Sequence, residues 1–306
     1  MLRSALLWAS TNPFLAQRLP HYGFVRRAVR RFMPGEEPDD ALREGRRLAD
    51  QGVPTLVTHL GENVTTAADA RGVVDGYLAV LESVRERDLD MELSVKLTHL
   101  GLDQDLEQTR RHVVELAAAA GDGVVWIDME ASDYVDRTLE VFRGARVERD
   151  NVGICLQAYL HRTEMDLHDL LELQPHVRLV KGAYLEPPEV AFPKKSQVDA
   201  NFRKLTSFML RERKAGRMGR PGIGTHDSHL VGDAQRVAYE LELAPELWEV
   251  EMLYGIATAE QARLVRAGTP LRVLISYGHH WFPWYMRRLA ERPANVGFVL
   301  KQLVSR

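Results

Sequence analysis

Cysteine occurs once in this chain, at Cys155, which excludes an intramolecular disulfide and fits a reducing compartment. No run of eighteen apolar residues occurs, so no segment reads as a transmembrane helix. Low-complexity linkers are absent, and no repeat is visible at the level of sequence identity. The formal net charge is only −3, so no global field draws the chain to nucleic acid or to an anionic membrane. Several catalytic signatures are missing as well. No GxGxxG follows a strand-like run, and the GIG at 222–224 lacks both a third glycine and its helix, which argues against a Rossmann domain. There is no P-loop, no HExxH and no GxSxG. The first strand-like run ends in a single THL, not in the His-x-His pair that would suggest a metal site.

What is present has a regular rhythm. A β-branched run, a polar residue at its end and a helical stretch recur through VPTLVTHL, ELSVKLTHL, GVVWIDME, VGICLQAYL, VRLVKGAY, PGIGTHDS, LWEVEMLYG and LRVLISYG. Strands that alternate with helices imply a parallel sheet, and eight such units in about 250 residues match a closed (β/α)8 barrel. The 306 residues, 45% hydrophobic and 27% charged, suit a barrel of this kind as one body. Between the runs, 105–120, 198–214 and 229–241 carry apolar residues at helical spacing. Residues 1–50, which include VRRAVRRF and the break MPGEEPDD, read as an N-terminal helical segment packed outside or below the barrel. Residues 51–306 read as the barrel with its C-terminal helix. The opening MLRSALLWAS has too short an apolar stretch for a signal peptide and reads as a leading amphipathic helix of a cytoplasmic protein.

A barrel of this type carries its active site where the strands exit. Those positions are His59, Lys96, Asp128 with Glu130, Gln157, Lys181, Thr225 with His226 and Asp227, Glu251, and Tyr277. Alternation puts Ser94 and Lys96 on one face of their strand, and Asp128 and Glu130 on one face of theirs. Arg178 lies inside a strand, where a charge is costly unless paired. Near the C-terminus, the stretch YMRRLAERPANVGFVL places Arg287 and Arg288 beside Trp281, Phe282, Trp284 and Tyr285, with Glu291 one turn on. Each item has a plain reading. A lone charge near a strand end is usually a loop residue or a structural ion pair, the Arg288–Glu291 spacing is that of a surface helix pair, and the aromatics are core. The convergence of Lys96, Asp128, Arg178 and the arginine pair on one barrel mouth favours an anionic ligand instead.

The motifs SVKLTHLGL, WIDMEAS, LQAYL, RLVKGAYLEP, GTHDSH, EMLYGI and SYGHHWFPWYMRRLAERPAN resemble, in order, those of the FAD-dependent proline dehydrogenase family, in its monofunctional bacterial form. That resemblance implies a (β/α)8 barrel whose mouth holds FAD without a Rossmann domain. It assigns Arg287 and Arg288 to the substrate carboxylate, with Glu291 holding the arginines or meeting the substrate nitrogen. Lys96 would also face the carboxylate, Asp128 would order the network, and Arg178 would lie beside the flavin N5. Met129, Gln157, Lys181, Gly182, Ala183, Thr225, His226 and Glu251 fall on flavin-contacting positions, while Leu274 and Tyr277 fall on the substrate pocket. Two residues depart from the family pattern: Leu274 stands where a tyrosine is usual, and Glu251 where a glutamine is usual.

The implied reaction moves a hydride from the ring carbon next to nitrogen in L-proline, or a close cyclic amino acid, to the flavin, giving Δ1-pyrroline-5-carboxylate. A quinone or other membrane acceptor would then take the electrons, with transient contact at the inner face of the membrane. The competing reading is a metal-dependent barrel hydrolase built on His59, His226, His229 and Asp227. A third is a non-catalytic barrel that binds a carboxylate or a partner protein.

Overall fold

The computed structural model describes residues 12, 18 and 29–291, the side chains of 287–291 excepted. The leading helix expected at the N-terminus and the first half of VRRAVRRF lie outside the described residues. Eight parallel strands close into a barrel in chain order: β1 (Thr55–His59), β2 (Met91–Val95), β3 (Val125–Ile127), β4 (Val152–Gln157), β5 (His176–Val180), β6 (Pro221–Gly224), β7 (Glu249–Leu253) and β8 (Leu271–Tyr277). Closure runs from Thr55↔Val273 to His59↔Tyr277, where β1 pairs with β8. The barrel expected from the strand rhythm is the fold.

Helices α1 (Pro38–Ala49), α2 (Ala67–Glu86), α3 (Leu106–Ala119), α4 (Val135–Glu148), α5 (Thr163–Leu170), α6 (Lys195–Lys214), α7 (Ser228–Glu240) and α8 (Thr258–Arg266) alternate with the strands. Helix α9 (Trp281–Glu291) follows β8. The helix α1 precedes β1, with Pro38 in its first turn, where the missing N–H costs nothing. It buries Ala41, Leu42, Gly45 and Leu48 and packs on β8 and β1. That position covers the outside of the barrel seam, so α9 is not needed there. Trp281, Phe282, Trp284 and Tyr285 of α9 instead pack with Phe32, Met33, Leu60 and Ile256. The indole of Trp281 donates to Glu36 at 2.9 Å, which ties α9 to the chain ahead of α1.

The outward faces of the strands are apolar because helices cover them. The inward face is charged. At the N-terminal end, Arg272 donates to Glu249 at 3.1 Å, to Asp90 at 2.7 Å and to the Thr55 carbonyl at 3.2 Å. Glu92 accepts from Trp126 Nε1 at 2.8 Å and from Arg220 at 2.5 Å. This buried network plugs the barrel floor. Above it, Trp126 is fully buried, and its ring fits because the residue paired opposite it on β4 is Gly153. A Cβ at Gly153 would come within 2.7 Å of Trp126 Cε3. Gly153→Ala is therefore expected to destabilise the fold by about 1–3 kcal/mol through overpacking. In contrast, Gly76→Ala, in α2 with nothing within 4 Å of the added Cβ, should stabilise by about 0.5–1 kcal/mol. Urea unfolding of both variants checks the contrast; two variants of equal stability would contradict it.

Candidate active site

The barrel interior brings four of the expected residues together, Lys96, Asp128, Arg178 and Glu251. Lys96 follows the end of β2, where the chain turns and its carbonyl accepts from the His99 amide at 3.1 Å. Asp128 follows β3, its amide continuing the ladder to the Val95 carbonyl at 2.8 Å. Arg178 sits mid-strand on β5, buried, and its side chain crosses the interior. Lys96 Nζ lies 3.1 Å from Asp128 Oδ2. Arg178 meets Asp128 Oδ1 at 2.5 Å and Ser94 Oγ at 2.7 Å, while Ser94 donates to the same Asp128 oxygen at 2.8 Å. The other arm of the guanidinium reaches Glu251 Oε2 at 3.0 Å.

Electrostatics hold this cluster charged. Burial is the largest influence on the Lys96 ammonium and works against it, but Asp128 beside it, together with Tyr184, Glu62 and Glu130, outweighs that and holds its pKa well above the ordinary value. Burial likewise opposes ionisation of Asp128, and Lys96 and Arg178 overcome it, leaving the carboxyl below its usual range. For Arg178, burial is offset first by Glu251 and then by Asp128, so its charge is secure. The Arg178 guanidinium also lies 5.3 Å from the centroid of the Trp126 ring, whose neighbour Arg220 is 5.7 Å away. The site therefore stands on the charged floor of the barrel.

The remaining expected residues divide. Gln157 donates to the Met129 carbonyl at 3.3 Å, and its own buried Oε1 has no partner. Lys181 is met by Asp199 at 2.7 Å and Asp227 at 3.0 Å. Thr225 Oγ1 accepts from the Asp227 amide at 3.2 Å. His226 Nε2 accepts from the Leu253 amide at 2.9 Å, which pins the β6 exit to β7 and places its proton on Nδ1. Gly182 has φ +118°, and Tyr159 occupies the space a Cβ would need; Ala183 beside it is half-buried. Leu274 shares the inward face of β8 with Arg272 and packs on the cluster of Leu56, Val124 and Trp126.

Tyr277 is not brought to that face. It is three residues from Leu274, on the opposite side of β8, and stacks on His59 with centroids 4.9 Å apart. Glu251 is placed differently from the expectation of a strand-end residue: it is the middle residue of β7, buried, and a direct partner of Arg178. Glu130 turns away to accept from the Thr98 amide and hydroxyl at 3.1 and 2.7 Å. Arg287, Arg288 and Glu291 lie on α9, and their side chains are outside the described residues. Among the described residues, no three His, Cys, Asp or Glu side chains gather as a metal-binding group. Of the residues of the hydrolase reading, His226 is engaged by the Leu253 amide and Asp227 by Lys181.

The residues fit a flavin nucleotide. The buried Oε1 atoms of Gln157 and Glu251 are acceptors without donors, which suits a ring system carrying N–H groups. Gly222 and Gly224 let Glu251 and Val180 close on the inner wall of β6: a Cβ there would come within 2.1 Å of Glu251 Oε1 and 2.7 Å of Val180 respectively. Lys181 offers an ammonium that a phosphate would have to share with Asp199 and Asp227.

Residues 41–301 match the family model described as proline dehydrogenase. The chain belongs to the proline dehydrogenase family. It is 34% identical to "Proline dehydrogenase 1" of Bacillus subtilis (strain 168), over 100% of both chains. It is 33% identical to "Proline dehydrogenase" of Deinococcus radiodurans, over 90% of this chain and 89% of that one. Among solved structures, proline utilization A from Bdellovibrio bacteriovorus, inactivated by N-propargylglycine, superposes with a TM-score of 0.81 at 23% identity. That match covers 95% of this chain but 36% of the other, so the chain spans about a third of that larger protein. At that identity the likeness speaks for the barrel alone.

Some members of the cluster of this proline dehydrogenase family chain escaped sequence reasoning. The place of Trp126 under Arg178, the floor residues Glu92, Arg220, Glu249 and Arg272, and the coupling of Ser94 to both Asp128 and Arg178 were not foreseen. A signal existed: Glu92, Ser94 and Lys96, then Trp126 and Asp128, then Glu249 and Glu251, alternate along strands. In a parallel strand whose outer face is covered by helices, such residues must point inward.

Proposed function

We propose that the chain oxidises L-proline to Δ1-pyrroline-5-carboxylate with FAD bound in the barrel mouth. The observation that carries this reading is the buried network of Lys96, Asp128, Arg178 and Ser94, in a chain of the proline dehydrogenase family. FAD, when bound, supplies the two-electron acceptor. Everything else falls to the protein. Lys96, with Arg287 and Arg288 from α9, takes the substrate carboxylate, and the planar guanidinium forks fix its orientation as well as its charge. Asp128 keeps Lys96 and Arg178 charged and aimed. Arg178 would stand beside the flavin, where its positive charge would favour acceptance of a hydride. Met129, Gln157, Gly182, Ala183, Thr225 and His226 would hold the cofactor, and Lys181 would serve its phosphates. Held this way, the proline ring presents the carbon next to nitrogen. That carbon loses a hydride and the nitrogen a proton, which leaves the C=N bond of the product. Glu291, one turn beyond the arginines, holds them or meets the substrate nitrogen. A quinone or other membrane acceptor drains the electrons, in a cytoplasmic protein that visits the inner face of the membrane. Among the described residues, no helix is long and apolar enough to cross a membrane.

The test is product identification. The FAD-loaded protein, given L-proline and a dye acceptor, should form a product that o-aminobenzaldehyde traps as Δ1-pyrroline-5-carboxylate. Dye reduction without that product would reject the reading. Replacing Arg287 or Arg288 by methionine should cost about 2–5 kcal/mol of transition-state stabilisation, mostly as weaker substrate capture. Flavin content should stay nearly unchanged. Two variants with parental kcat/KM would make this face of α9 ordinary charged surface.

Leu274 tunes selectivity. A branched apolar wall discriminates small changes on a ring weakly, whereas a hydrogen-bonding wall rejects ligands that cannot match it. The parent is therefore expected to turn over ring-substituted analogues of proline with relaxed selectivity, and Leu274→Tyr to raise the ratio of kcat/KM for proline over hydroxyproline. A parent that already strongly prefers proline, with a variant that only loses activity, would make Leu274 a packing residue.

A further inference from the structure

Glu251 is unusual among the charged residues at the site. It is buried at 4% exposure in the middle of β7, and only one of its oxygens is used. Oε2 meets Arg178 at 3.0 Å, while Oε1 is buried without a partner. The space for that second oxygen exists because Gly222, on the neighbouring strand, has no Cβ; one placed there would lie 2.1 Å from Oε1. A neutral amide would make the same bond to Arg178 in the same space. What the carboxylate adds is charge.

We propose that Glu251 is a positioning and charge-balancing residue that lowers the electron affinity of the bound flavin by neutralising part of Arg178. The inference rests on the reading that FAD occupies this mouth with its reacting ring over Arg178. The arithmetic of the cluster carries it. Lys96 and Arg178 contribute two positive charges, and Asp128 and Glu251 two negative ones, so the connected network sums to zero. With an uncharged residue at 251, the same network would carry one net positive charge directly under the ring. Charge in a buried site acts at short range with little screening. A flavin accumulates electron density on reduction, so a neutral network disfavours its reduced form relative to a positive one. The consequence is a reduced flavin that passes its electrons on more readily. Glu251 does not touch the reacting atoms; it acts through Arg178.

The experiment uses the FAD-loaded full chain and its Glu251→Gln and Glu251→Asp variants, read by titration with sulfite and by the flavin midpoint potential. Glu251→Gln should bind sulfite about tenfold more tightly. Its potential should be more positive by about 30 mV, the two-electron equivalent of a tenfold change. Glu251→Asp keeps the charge and should stay near the parent on both readings. Unmoved sulfite affinity and potential in Glu251→Gln would overturn the proposal. So would an Asp variant that shifts as far as the Gln variant, since the effect would then follow shape and not charge. A Gln variant that fails to fold or to take up FAD overturns it too, by making Glu251 structural. A parent that binds no FAD overturns both this inference and the function it rests on, whereas FAD bound with unmoved readings overturns this inference alone.

Discussion

Replacing Arg178 by methionine is expected to lower the rate of flavin reduction by proline about 10²–10³-fold, the scale seen when one preorganised donor to developing charge is removed. The structure adds a second, separable loss. Arg178 is buried and stands between Asp128 and Glu251, at 2.5 and 3.0 Å. Without it, two carboxylates remain in the barrel interior with only Lys96 nearby to balance them. Breaking a buried pair by removing one partner costs about 3–5 kcal/mol, so the variant should also unfold at lower urea. Arg178→Lys keeps the charge but not the fork that reaches Asp128, Ser94 and Glu251 together, and should fall between the two. The checks are rapid mixing under anaerobic conditions and urea unfolding on the same preparations. An Arg178→Met protein with parental stability and parental reduction rate would contradict the site as described.

Asp128→Asn should act differently, because it keeps shape and removes charge. Asp128 is the largest of the charges that hold Lys96 protonated against its own burial. The sign follows from that. With Asp128 present, the pKa of Lys96 is raised, so its ammonium, and the carboxylate binding it supports, persist until high pH. With asparagine, burial dominates and the pKa falls, so binding is lost as pH rises through the lower value. The expected result is kcat/KM for proline reduced by about 10²–10³-fold, roughly 3–4 kcal/mol. The alkaline limb of its pH profile should also begin at lower pH than in the parent. A uniform loss at every pH, with no displaced limb, would mean that Asp128 does not act through Lys96.

The architecture was legible because the strands are buried on both faces and separated by helical stretches, so each β-branched run stands out. The helices expected over 105–120, 198–214 and 229–241 lie at Leu106–Ala119, Lys195–Lys214 and Ser228–Glu240. Strand ends were harder. The run ELSVKLTHL reads as one strand, yet β2 stops at Val95 because Lys96 opens a hydrogen-bonded turn through His99 and Leu100. β3 keeps only Val125–Ile127 of GVVWIDME. Those early exits are what turn Lys96 and Asp128 toward each other. Arg178 announced itself as a charge inside a strand, but its partner Glu251 did not, since contacts across a barrel join residues 73 apart in the chain. No local pattern encodes that distance. Alternation could place Glu92 on the inner face, but not its partner: Arg220 reaches it from 128 residues away. Tyr277 misled because a polar tip at a strand end looks like a site residue, while alternation from Leu274 already put it on the other face.

The most direct measurement of the central claim is an anaerobic titration of the FAD-loaded protein with L-proline, followed by the visible absorbance of the flavin. The account requires that absorbance to bleach on mixing, with one product molecule formed per flavin reduced, and bleaching to be far slower in Arg178→Met than in the parent. A protein that holds FAD firmly and keeps its full colour under excess L-proline would contradict it.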